Sequence, residues 1–173
     1  NVVGTIWQIF GRVDIGLLGH YLAELGIDYN YTNDPVDAWI TVIIMDVWHW
    51  TSLVALLCYA GLQSIPKSYY EAAAIDGASQ FRQFWHITLP GLSGVLMTAT
   101  LLRVIWVANS IDVIFVMTGG GPGYSTYTLP LYAFVKARTG LDYGYGSALA
   151  VSFTLLLLGF VILYLRRAGR NIA

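Results

Sequence analysis

The sequence predicts an all-α, polytopic transmembrane helical bundle, and three observations carry that reading. The 173-residue chain is 57% hydrophobic and only 11% charged, where an ordinary soluble domain carries about 25% charge. Its mean hydropathy is +0.62. Three stretches are long and apolar enough to cross a bilayer, which takes about 20 residues of helix. A net charge of −1 argues against nucleic acid as a partner. The single cysteine, Cys58, excludes an internal disulfide framework.

Taken in order, the chain opens at Asn1 rather than Met, already within an apolar stretch and without a signal-peptide pattern. A fragment lacking its N-terminal spans is expected. The first 37 residues carry no motif that points to a function. The first span is expected at about 39–62, interrupted only by Asp46 and His49. The loop 63–93 is too polar to continue it. A second span at about 94–117 carries Arg103 and Asp112 inside. A Gly- and Tyr-rich segment, 118–146, follows; its residues 128–138 suit a short interfacial helix. The third span, 147–165, has no charged residue. No internal repeat or low-complexity tract is visible, so 1–173 reads as a single transmembrane domain.

Charge sets the orientation. Two spans separate the loop 63–93 from the tail 166–173, so both share a side. That side holds Lys67, Arg82, Arg166, Arg167 and Arg170. The other holds Arg12, Lys136 and Arg138 against Asp14, Glu24, Asp28, Asp34, Asp37 and Asp142. The positive-inside tendency places the loop and the C-terminus in the cytoplasm and 118–146 outside.

The loop is the richest segment. Ser68-Tyr69-Tyr70-Glu71 has the capping-box pattern, in which the hydroxyl caps a helix start and the carboxylate reaches back. A short helix should then run through Ala72-Ala73-Ala74-Ile75-Asp76, and Gly77 suits the left-handed residue that ends it. Ser79 can cap a second helix from Gln80 to Leu89, which Pro90 should stop. Three alanines let another surface approach the first backbone closely. The expected product is a kinked pair of helices outside the membrane.

Glu71-Ala72-Ala73, three residues, Gly77, nine residues, then Ile87-Thr88-Leu89-Pro90 resembles the EAA loop of binding-protein-dependent ABC importer permeases. That resemblance implies a coupling helix seated in a cytoplasmic ATPase, with Glu71, Ala72, Ala73, Asp76, Gly77, Ile87, Leu89 and Pro90 at the docking surface. Thr118-Gly119-Gly120-Gly121-Pro122-Gly123, with Ser125-Thr126 and Asp142-Tyr143-Gly144-Tyr145-Gly146-Ser147-Ala148, is similar to the maltose-type carbohydrate branch. Together the resemblances cover 63–165. They imply a type I permease fold in a prokaryotic cell membrane. Their implied partners are a second permease subunit, an extracytoplasmic solute-binding protein and a separate ATPase carrying ATP-Mg. The implied cargo is a sugar or sugar-like solute, and glycerol phosphates move through close relatives.

The Gly-rich run is not a phosphate cradle: after Gly119 no lysine comes before Lys136, and Pro122 removes a donor. No cofactor and no catalytic residue is expected in this chain. Charges within a span cost about 2.5–3.5 kcal/mol each, so each needs a reason. Arg103, Trp106/Val107 and Ser110 recur at helical spacing, flanked by Asn109 and Asp112. Asp46, His49, Trp50 and Leu53 form a second stripe. Two such stripes suit a wet path, and aromatic rings pack on sugar C–H faces. By position in the family, His49, Trp50, Arg103, Val107 and Ser110 are path candidates. The alternative keeps Arg103 as a structural partner of Asp46. Asp46 and His49, one helical turn apart, make a weak metal signal, and no metal site is expected. They also keep open a proton-coupled secondary transporter or an intramembrane enzyme. Either of those would run without an ATPase. Asn30-Tyr31-Thr32 fits a glycosylation acceptor, a coincidence if the chain is prokaryotic.

Overall fold

A computed structural model describes residues 2–172, with side chains to residue 168. Helices α1 (Val2–Phe10), α2 (Leu17–Glu24), α3 (Pro35–Gln63), α4 (Lys67–Ile75), α5 (Gln80–Gln83), α6 (Leu89–Ala108), α7 (Ile111–Thr118), α8 (Leu129–Arg138) and α9 (Tyr143–Ile172) follow in chain order. A π-helical turn, Phe84–Thr88, joins α5 to α6. No strand occurs among the described residues. Three helical stretches have the length and composition to cross a membrane: Pro35–Gln63, Gln80–Ala108 and Tyr143–Ala168. Arg170, used above for orientation, lies outside the described side chains.

The long helices overrun their apolar stretches because local caps start them early. The Asp34 carboxylate accepts from the Val36 and Asp37 N–H groups at 2.8 and 3.0 Å. Pro35 fills the first helical position, where its missing N–H costs nothing. Asp142 does the same for α9, accepting from Tyr145 N–H at 3.1 Å. The second expected span is corrected. Its helix ends at Ala108 and restarts at Ile111, with Ser110 at ψ 77° between them. Asn and Ser favour such breaks because their side chains compete for backbone partners.

The chain divides into two compact units, Asn1–His49 with Trp106–Phe160 and Trp50–Ile105 with Val161–Ala173. In the first, Tyr31, Ala38, Val42, Met45, Ile114, Met117 and Leu131 form the buried core. Gly4 of α1 lies against Val116 of α7. Two tyrosines tie the segment after α2 to its neighbours. Tyr31 Oη donates to Gln8 O at 2.7 Å, and Tyr29 Oη lies 2.6 Å from Thr41 Oγ1. Burial pushes both phenols above their ordinary pKa, so they stay neutral and able to donate at physiological pH. Trp39 Nε1 donates to Ser125 O at 2.9 Å, fastening α3 to the Gly-rich turn. Gly146 lets α9 close on α8, since a Cβ there would meet Ala137 Cβ at 2.9 Å.

In the second unit the end of α3 crosses the start of α6 at small residues. A Cβ on Gly61 would meet Leu92 at 2.7 Å, and one on Gly91 would meet Ile65 at 2.7 Å. Tyr164 Oη donates to Met97 O at 2.9 Å, tying the end of α9 to α6.

Candidate functional site

The connection between α3 and α6 builds an exposed knob. Helix α4 ends with Gly77 at φ +74°. Gly77 N–H donates to Ala74 O at 3.0 Å and Ala78 N–H to Ala73 O at 2.9 Å. That pair is the Schellman closure, which satisfies the last carbonyls and turns the chain sharply. Ser79 then caps α5, accepting from Arg82 N–H at 3.4 Å. The expected Gly77 turn and Ser79 cap are both present.

Two local expectations are corrected. The capping box does not form: α4 begins at Lys67 with Pro66 at the cap and no side-chain cap bond. Ser68 therefore sits inside the first turn, two residues past the cap position. Nor does Pro90 stop a helix, because it lies in the first turn of α6. Proline needs no acceptor there, and the wider π turn before it leaves room for the ring. The helical path consequently runs unbroken from Gln80 to Ala108.

Of the predicted docking residues, Glu71, Ala72, Asp76, Gly77 and Pro90 are exposed, while Ala73, Ile87 and Leu89 are half-buried. The apolar tips are the telling feature. Ile75 is 87% exposed and Phe81 74%, and nothing lies within 4 Å of a Cβ built on Gly77. The knob is fixed at its base, where Tyr70 Oη lies 2.9 Å from Thr88 Oγ1. Gln83 Nε2 donates to Ala78 O at 3.1 Å across the kink.

The path candidates fall into two groups. Val107 and Ser110 line a mainly apolar cavity of about 270 Å³ with Asp46, Trp39 and Thr128. Ser110 reaches it from the break between α6 and α7, not from the helical stripe the spacing predicts. In the other unit, the Arg103 guanidinium stacks over the Trp50 ring, 5.0 Å from its centroid. Such a contact holds a cation where water is scarce. His49 is half-buried.

The chain matches the family described as binding-protein-dependent transport system inner membrane component over residues 6–168. It belongs to that family. It is 44% identical over 161 residues to the trehalose/maltose transport system permease protein MalF of Thermococcus litoralis, covering 92% of this chain and 54% of that protein. It is 40% identical over 167 residues to the sulfoquinovosyl glycerol transport system permease protein SmoG of Agrobacterium fabrum, covering 96% and 54%. The sn-glycerol-3-phosphate transport system permease protein UgpA of Yersinia enterocolitica is 33% identical over 172 residues, covering 99% and 58%. The chain thus spans about half the length of the curated relatives it matches. A crystal structure of a bacterial ABC transporter involved in the import of the acidic polysaccharide alginate superposes with a TM-score of 0.87 at 19% identity, covering 98% of this chain and 60% of that one. The all-α permease fold is shared.

This inner-membrane component is a multi-pass membrane protein, and several of its working residues escape sequence reasoning. Tyr70 and Thr88, which fix the knob, lie 18 positions apart with no motif to link them. Gly61 and Gly91, where α3 and α6 cross, look like ordinary glycines in apolar runs. Thr118 and Thr126 sit in the quoted Gly-rich motif, yet only their contact shows their use. Their hydroxyl oxygens are 2.8 Å apart.

Proposed function

We propose that this chain is the core of a permease subunit of an ATP-driven importer, with residues 67–90 as the lever that a separate ATPase moves. One observation carries the proposal: a rigidly based, sharply kinked knob whose apolar tips Ile75 and Phe81 stand in the open. Apolar side chains in such a place favour burial by a partner. In this reading the knob and the C-terminus face the cytoplasm, and Glu71 meets a basic group on the ATPase. A second permease subunit completes the path, and an extracytoplasmic binding protein delivers the solute. ATP-Mg acts on the ATPase alone. A sugar or sugar-like solute fits the relatives, whose names include trehalose/maltose, sulfoquinovosyl glycerol and sn-glycerol-3-phosphate.

Cysteine cross-linking in membranes tests the lever. Ala73→Cys or Gly77→Cys should form an adduct with the co-expressed ATPase that changes on adding ATP; no adduct with any co-encoded ATPase sinks the proposal. For the path, Trp50→Ala or Ser110→Ala should weaken uptake with the complex still assembled. Unchanged uptake removes those positions, with His49, Arg103 and Val107 to be tried next.

A further inference from the structure

Helix α2 has three distinct sides. Leu17, Tyr21 and Leu25 follow one another at i, i+4 and i+8, an arc of about 80° at 100° per residue. They are 63%, 61% and 75% exposed. Next to that arc stand His20 and Glu24, paired at 3.3 Å and open to solvent. The packed side is made of small residues. A Cβ on Gly19 would meet Arg12 O at 2.5 Å and Val13 Cα at 2.6 Å. Gly16 is closed in the same way by Phe10 and Arg12 carbonyls. So α2 buries one side on the preceding turn, presents charge on another, and leaves a large apolar stripe between.

The position of α2 identifies what covers that stripe. The segment that follows it is tied to both neighbouring helices: Tyr31 to Gln8 in the last turn of α1, Tyr29 to Thr41 and Asn30 N–H to Asp37 in the first turns of α3. Helix α3 has the make-up of a membrane-crossing helix, and Thr41 lies only about 9 Å along it from Pro35 at 1.5 Å per residue. The ties hold α2 at the level where α3 enters the bilayer. The outward residues of α3 at this level are apolar as well, with Val36 and Ile40 64% and 46% exposed. A tyrosine at the middle of the stripe suits the headgroup level, with ring toward the acyl chains and hydroxyl toward water.

We propose that α2 is an interfacial helix that seats Leu17, Tyr21 and Leu25 in the lipid headgroup–acyl boundary, with His20 and Glu24 in water. The bound surface is neutral lipid. The segment from Arg12 to Asp37 carries one arginine against Asp14, Glu24, Asp28, Asp34 and Asp37, so anionic headgroups would repel it and insertion rests on apolar area. The inference depends on α3 crossing the membrane and is independent of what the protein carries.

Site-directed spin labelling of the full-length chain, assembled with its partner subunits in phosphatidylcholine nanodiscs, tests it. In a Cys58→Ser background, single labels are placed by Leu17→Cys, His20→Cys, Tyr21→Cys, Glu24→Cys and Leu25→Cys. All five sites are exposed, so the label leaves the packing in place. Collision with oxygen should dominate at 17, 21 and 25, and collision with a water-soluble nickel chelate at 20 and 24. Low collision with both reagents at 17, 21 and 25 would mean that protein covers the stripe. High nickel collision at all five would mean that water does. Either outcome, or any pattern without the alternation, overturns the proposal.

Discussion

Two glycine-shaped turns, each closing a short helix, solve opposite problems. At the knob, Gly77 turns the chain at φ +74° with nothing within 4 Å of its Cβ position, and apolar tips stand exposed beside it. In the Gly-rich turn, Gly120 at φ +92° has the Tyr127 ring directly over it. Thr126 there is 0% exposed. Its hydroxyl lies 2.9 Å from Gly121 O, and that of Thr118 lies 3.0 Å from Ile114 O while accepting from Gly120 N–H at 3.2 Å. The second turn bonds Thr118 and Thr126 within itself and packs the Tyr127 ring on Gly120, leaving the buried Ser125 hydroxyl without a hydrogen-bond partner. The first closes its backbone and leaves the apolar tips Ile75 and Phe81 unburied. A turn of the first kind is built to be met by something else; a turn of the second kind is built to hold still.

The largest expected effect breaks the closed turn. Gly120→Ala places a methyl group in the Tyr127 ring and a Cβ on a positive-φ backbone. Together these should cost roughly 2–5 kcal/mol, read as a fall in the melting temperature of the complete purified protein. Thr126→Val comes next. It keeps the shape but leaves the Thr118 hydroxyl and Gly121 carbonyl short of a buried partner, a loss of about 1–3 kcal/mol. Thr126→Ser should recover most of it. Equal melting for the valine and serine variants would show that the hydroxyl pair does not hold the turn.

The same contrast explains what could be read in advance. Gly77 and Ser79 act through neighbours a few residues away, as Thr128 does where it caps α8, accepting from Leu131 N–H at 3.4 Å. Their signals are local and legible. The three membrane-length helices are legible too, since hydropathy integrates over many residues. Hydropathy does not register a break of two residues, which is why the interruption at Asn109 and Ser110 is hidden inside an apolar run. Pro90 misleads because the sequence does not announce the π turn that accommodates it. Asp34-Pro35 carries a helix-start pattern, but it lies ahead of the apolar stretch from which hydropathy places the span. The Trp39 bond to Ser125 spans 86 positions, and no spacing rule reaches that far. As for the site, the kink at Gly77 and Ser79 is legible, whereas the exposed tips Ile75 and Phe81 and the supports Tyr70 and Thr88 are not.

Gly77→Ala sharpens the comparison. With open space around the Cβ, only backbone strain remains, about 1–2 kcal/mol, less than at Gly120. Gly77→Asn should cost less still, because asparagine tolerates the left-handed conformation. If alanine at 77 destabilised as much as alanine at 120, the knob would be packed against something and the contrast would fail.

The smallest effect on stability tests the contrast most directly. Ile75→Ser and Phe81→Ser remove side chains that are 87% and 74% exposed, so the melting temperature of the isolated permease should barely move, within about 0.5 kcal/mol. Association with the ATPase should weaken in the same variants, because each loses apolar area that only a partner buries. Pull-down of the ATPase and melting of the permease alone therefore separate the two uses of a side chain. A drop in melting without loss of association would make these residues part of the fold. A loss of association at unchanged melting would make them the surface on which the lever is gripped.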